Sequence, residues 1–139
     1  MSKLVEMIKS HEGVVKHAYA DSRGYLTIGV GRLIDKTLGG GLSDDEVDYL
    51  LANDIKRCQA EAETYEWFAG LNEPRQAVVI SLLFNLGKPR FDFFKATQAA
   101  IAGGDYAGAA EEMLDSKWAV QVGKRAEDMA AQLYSGEWH

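Results

Sequence analysis

Cysteine, proline and histidine are scarce in this chain: one, two and three among 139 residues. A lone cysteine, Cys58, excludes an intramolecular disulfide. It is expected as a buried free thiol on a helix, since no histidine adjoins it to make it a nucleophile. His11 and His17 lack the spacing of a metal pair on one helix, so no metal site and no cofactor is expected. The chain also lacks a run of about 18 apolar residues, which excludes a spanning helix, and no stable membrane association is expected. Its first residues, "MSKLVEMIKSHEG", lack the apolar core and small-residue cleavage site of a signal peptide. The product is therefore expected in the cytoplasm until another agent releases it. An excess of positive charge is missing as well. The formal net charge of −6 argues against duplex nucleic acid as a partner. "GGGLS" at 39–43 lacks the following Gly-Lys-Ser/Thr of a phosphate loop and reads as a connector.

What is present suits a soluble α+β domain, mainly α and expected as a monomer. Apolar residues make up 47% and charged residues 26%, ordinary for one globular domain of this length. Leu4, Val5, Met7 and Ile8 recur at helical spacing and predict a helix over 3–11, with Gly13 placed to stop it. From Lys16 to Ile34, Tyr, Thr, Ile and Val alternate with "DSRG" and "GVG", the pattern of a small antiparallel sheet. "KTLGGG" reads as a flexible loop without a helix. "SDDE" at 43–46 is a capping box opening a long helix to about residue 63. "NEPRQAVVISLLFNLG" is apolar nearly all round from Ala77 to Leu86, so it predicts a buried central helix. Shorter helices are expected around 90–94, 95–103, 105–115 and 118–134, broken at Gly103–Gly104 and Gly123. Trp67, Trp118 and Trp138 read as anchors in the core or at a lobe interface. No internal repeat and no low-complexity segment occurs.

Charge is unevenly spread. Residues 1–40 hold six Lys/Arg against four Asp/Glu, whereas residues 41–70 hold two against eight. Most of the acidic excess belongs to the long helix and reads as a solvated face.

Chemistry concentrates in "HEGVVKHAYADSRGYLTIGVG", residues 11–31. Glu12 falls in the last turn of the first helix. Free carbonyls there disfavour a carboxylate and favour the protonated form that a general acid needs. Asp21 sits in a turn-forming "DSRG" and Thr27 on a strand; each alone is ordinary for its place. Together, an acid that keeps its proton, a second carboxylate in a polar turn and a hydroxyl could bind and aim one water. That is the equipment of glycoside hydrolysis.

The Glu12-to-Asp21 spacing and the following "GYLTIGVG" resemble the signature of the bacteriophage lysozymes (endolysins) of glycoside hydrolase family 24. "LSDDEVDYLLANDI" is similar to that family's long inter-lobe helix. "AVVISLLFNLG" is similar to its buried central helix, and "KRAEDMAAQLYSGEW" to its closing helix and Trp. The resemblance thus covers nearly the whole chain. It implies one two-lobed lysozyme domain over 1–139. A small β lobe would span about 13–42 and an inter-lobe helix about 43–63. A helical lobe would span about 64–139 and include the first helix. It implies Glu12 as general acid, Asp21 as partner carboxylate and Thr27 as the residue that positions water. It also implies Arg125 in a supporting role near the acid, and Leu33, Phe84 and Thr97 as glycan contacts. An inverting enzyme of this kind holds its carboxyls about 6.5–9.5 Å apart. The implied substrate is the peptidoglycan glycan strand. The implied partner is a holin-type membrane-permeabilising protein that lets the enzyme out of the host cytoplasm.

Three positions depart from the T-even type. Arg32 stands where that type has histidine and reads as a structural partner for an acidic residue. Asn85 replaces a longer amide, and Glu112 replaces a neutral one. The loop at 35–42 is also shorter. Two other functions stay open at this point: a lytic transglycosylase on the same fold, and a wall-binding protein without activity.

Overall fold

The computed structural model describes residues 2–139. No proline or glycine interrupts the first eleven of these, and they form helix α1, Ser2–Glu12. Gly13 ends it with φ 80°, and its N–H donates to Lys9 O at 2.9 Å. Leu4, Val5, Met7 and Ile8 do keep to helical spacing, yet all four remain exposed. Three antiparallel strands follow in the order β1 (Val15–Ala20), β2 (Leu26–Gly29) and β3 (Arg32–Leu33). Thr27 on the central strand faces Tyr19 on one side and Leu33 on the other. The β1–β2 register shifts between Val15 and Tyr19, a bulge that re-aims β1.

The loop expected at 35–42 contains one 3-10 turn, Lys36–Leu38. Asp35 makes it: its Oδ1 accepts from Thr37 N at 3.0 Å and from Thr37 Oγ1 at 2.6 Å. These bonds hold the Asp35 carboxyl below its ordinary range. Helix α2, Asp44–Ala62, opens as the capping box requires, with Ser43 N donating to Glu46 Oε1 at 2.9 Å. The Ser43 hydroxyl departs from that motif by donating to Asp45 and Glu46 instead of accepting from the helix.

Backbone contacts divide the chain after Leu50 into two compact units. In the first, Thr27 is the one buried residue among those described. The second holds the apolar core. Its centre is α3, Glu73–Leu86, which buries Val78, Val79, Leu82 and Leu83. Around these lie Phe91 from α4 (Lys88–Phe91), Ile101 from α5 (Lys95–Ala102) and Met113 from α6 (Tyr106–Leu114). Trp118 and Ala119 come from α7 (Lys117–Val122), and Leu133 from α8 (Lys124–Ser135). Buried Ala109, Ala126 and Ala130 let α6 and α8 pack closely. The two ends of this unit are tied by polar bonds. Arg75 Nε donates to Leu133 O and its Nη2 to Tyr134 O, each at 2.8 Å, placing a cation on the carbonyls that end α8.

Cys58 is buried and free, as expected, and burial pushes its thiol up. Two expectations need correction. The segment 77–86 is apolar nearly all round but is buried on one side only, leaving Phe84 exposed beside Ser81 and Asn85. Trp118 is buried and Trp67 stacks on Tyr65, yet Trp138 is 62% exposed and anchors no core.

Candidate active site

Asp21 is held at the β1–β2 turn by its own side chain. Its Oδ1 accepts from Arg23 N and from Tyr25 N, both at 2.9 Å. Its backbone N–H donates to Tyr25 O at 2.8 Å, and Gly24 N donates to Asp21 O at 2.9 Å. One carboxylate oxygen is thereby committed to the turn. The other, Oδ2, makes no hydrogen bond among the described residues.

Two residues along, Thr27 Oγ1 donates to the same Tyr25 O at 3.0 Å. The hydroxyl's single proton is thus spent, and its lone pairs remain free to accept. Tyr25 therefore links the two residues through its main chain: its N–H holds the Asp21 side chain, and its C=O takes both the Asp21 N–H and the Thr27 hydroxyl. Residue-type reasoning missed this link, because a backbone donor and acceptor are common to almost every residue. Asp in a turn four positions before Tyr25 is the one local signal of it.

Glu12 ends α1 and is exposed. Its carboxyl lies against Gly31: a Cβ built there would sit 2.9 Å from Glu12 Oε2. The acid therefore meets the sheet at the β2–β3 turn, whereas Asp21 meets it at the β1–β2 turn. Strand β2, four residues long, spans about 13 Å between those turns. Thr27 occupies the strand between them, and Leu33 stands directly across from it.

The remaining candidates fall elsewhere. Phe84 and Arg125 line one cavity of about 600 Å³ in the second unit, together with Ile55, Ile80, Trp118 and Met129. Thr97 lies on α5 and, like Thr27, is buried. Asn85 accepts from the Trp118 indole N–H and so fixes that ring. Glu112 is exposed on α6. Arg32 has the acidic partner expected of it: its Nη1 lies 2.7 Å from Glu46 Oε2. Hydrogen bonds from Arg32 and from Ser43 hold the Glu46 carboxyl down at about 2. Among the described residues, no helix is long and apolar enough to cross a membrane.

A family profile described as phage lysozyme matches residues 9–132, a span that includes Glu12, Asp21, Thr27 and Arg125. The chain belongs to the phage lysozyme family. It is 24% identical to "Probable T4-type lysozyme 1" of Dictyostelium discoideum, over 98% of this chain and 96% of that protein. It is 28% identical to "Endolysin" of Acyrthosiphon pisum secondary endosymbiont phage 1, over 86% of this chain and 80% of that one. It is 25% identical to "Pre-baseplate central spike protein Gp5" of Enterobacteria phage T4. That match takes 96% of this chain but only 28% of the spike protein. Membership of the phage lysozyme family brings the general role of a muramidase, a glycoside hydrolase whose substrate is peptidoglycan.

Proposed function

We propose that this phage lysozyme family member hydrolyses the β-1,4 bond between N-acetylmuramic acid and N-acetylglucosamine, with inversion. Glu12 is the general acid, and Asp21 with Thr27 aims the attacking water. The observation that carries this reading is the shared Tyr25 peptide, which leaves one acceptor free on Asp21 and one on Thr27. A water between them donates one O–H to Thr27 Oγ1 and the other to Asp21 Oδ2. Its remaining lone pair is then free to attack the anomeric carbon. As the glycosidic bond breaks, Glu12 gives its proton to the leaving oxygen and Asp21 takes one from the water. Inverting glycosidases leave room for such a water by holding their carboxyls about 6.5–9.5 Å apart.

In the same proposal Leu33, beside Thr27 in the sheet, contacts the glycan. Phe84 supplies an exposed apolar surface for it and Arg125 a supporting cation. Residues 1–139 act together as one lysozyme domain. The biological role is that of an endolysin acting from the host cytoplasm, reaching the wall when a separate holin-type protein opens the membrane.

Glu12→Gln tests the acid directly. The variant keeps the shape of Glu12 and removes the transferable proton. It is expected to fold like the parent, by circular dichroism, and to clear permeabilised bacterial cells at least about 10²-fold more slowly. Undiminished clearing would remove Glu12 from the mechanism. Binding without clearing by the parent protein would favour a wall-binding role instead.

A further inference from the structure

The β2–β3 connection carries two glycines in the left-handed region, Gly29 at φ 72° and Gly31 at φ 64°. Their surroundings differ. A Cβ on Gly29 would meet nothing within 4 Å. A Cβ on Gly31 would meet Glu12 Oε2 at 2.9 Å, Cδ at 3.3 Å and Cγ at 3.5 Å. The Glu12 carboxyl thus occupies the space that any side chain at 31 would need.

We propose that Gly31 is a positioning residue for Glu12, an inference that rests on the reading of Glu12 as the general acid. The base of the Glu12 side chain is fixed by the end of α1, where Gly13 N donates to Lys9 O at 2.9 Å. Its far end lies in the space that the missing Cβ of Gly31 leaves. A proton donor must lie within hydrogen-bond reach of the leaving oxygen, and a misplacement of about 1 Å costs roughly 10²-fold in rate. The absence of a side chain at 31 therefore decides where the proton is delivered.

Gly29 and Gly31 together provide the test. Alanine at either site incurs the strain of a left-handed backbone. At 31 it also displaces the carboxyl. That displacement adds little to the stability cost, since the carboxyl is the mobile end of an exposed side chain. Gly29→Ala and Gly31→Ala should therefore lower the melting temperature alike. On purified peptidoglycan, Gly31→Ala should then lose about 10- to 100-fold in kcat with KM within about twofold, while Gly29→Ala keeps a kcat near that of the parent. If alanine prevents folding, Gly29→Asn and Gly31→Asn repeat the comparison, because asparagine tolerates the left-handed region better.

Glu12→Gln, assayed alongside, separates the two levels of the proposal. An inactive Glu12→Gln with equal kcat losses in both glycine variants, or none in either, would overturn the positioning role and leave the acid in place. An active Glu12→Gln would overturn both.

Discussion

Thr27 combines two duties that substitution can separate. It is buried on the central strand, and its hydroxyl is bonded to Tyr25 O. Thr27→Val keeps the shape and removes the oxygen that would accept from water. Thr27→Ser keeps the oxygen and removes a methyl. Thr27→Val should lose about 10²-fold or more in kcat and Thr27→Ser should retain most of it, measured on purified peptidoglycan. Equal losses would make Thr27 a packing residue only. The local settings of residues 12, 21 and 27 were legible: a helix end before Gly13, a turn made by Asp21 and a strand carrying a β-branched residue. The Tyr25 main-chain link was not, since backbone groups leave no mark on residue identity. Thr97 shows the opposite limit. Nothing in its residue type tells that it is buried, which only the structure shows.

Arg32 and Glu46 join β3 to the start of α2, with Nη1 donating to Oε1 at 2.8 Å. Glu46 sits at about 2 in the folded protein, against an ordinary value of 4.5. A carboxyl lowered on folding stabilises above its unfolded value, and that contribution disappears as pH falls toward the folded one. The clasp should therefore support the fold fully above pH 4.5 and fade between 4.5 and about 2. Melting curves of the parent and Arg32→Ala across that range should converge toward the acid end; a constant gap would contradict the assignment. The capping sequence "SDDE" made the start of α2 legible. It could not show that Glu46 also serves Arg32, fourteen positions earlier in the chain. The 3-10 turn at Lys36–Leu38 was missed for a related reason: "KTLGGG" reads as flexible, and the order comes from the preceding Asp35. The apolar run of α3 revealed a core helix; its open side is marked only by Ser81 and Asn85, four positions apart, and takes Phe84 with it.

Across the whole molecule, burial and candidate chemistry are unevenly shared. The buried apolar residues all lie from Cys58 onward, while Glu12, Asp21 and Thr27 lie before Leu50. Leu82, fully buried on α3, should cost about 2–5 kcal/mol when cut to alanine, measured by denaturant unfolding. Amide exchange should be slowest in α3, α6 and α8 and faster throughout residues 2–50, whose backbone has little buried surface above it. Charge divides at a different point: residues 1–50 hold six Lys/Arg against eight Asp/Glu, with the acidic residues concentrated at 44–48. The chain as a whole is acidic, yet the segment 1–40 that carries all three candidate residues has more cations than anions. The central claim is hydrolysis with inversion by Glu12, Asp21 and Thr27, and the products of purified peptidoglycan test it most directly. Mass spectrometry and proton NMR at the anomeric carbon should show fragments that have gained one water, released first as the α-anomer. Anhydro-sugar ends without added water, or a β-anomer released first, would contradict it.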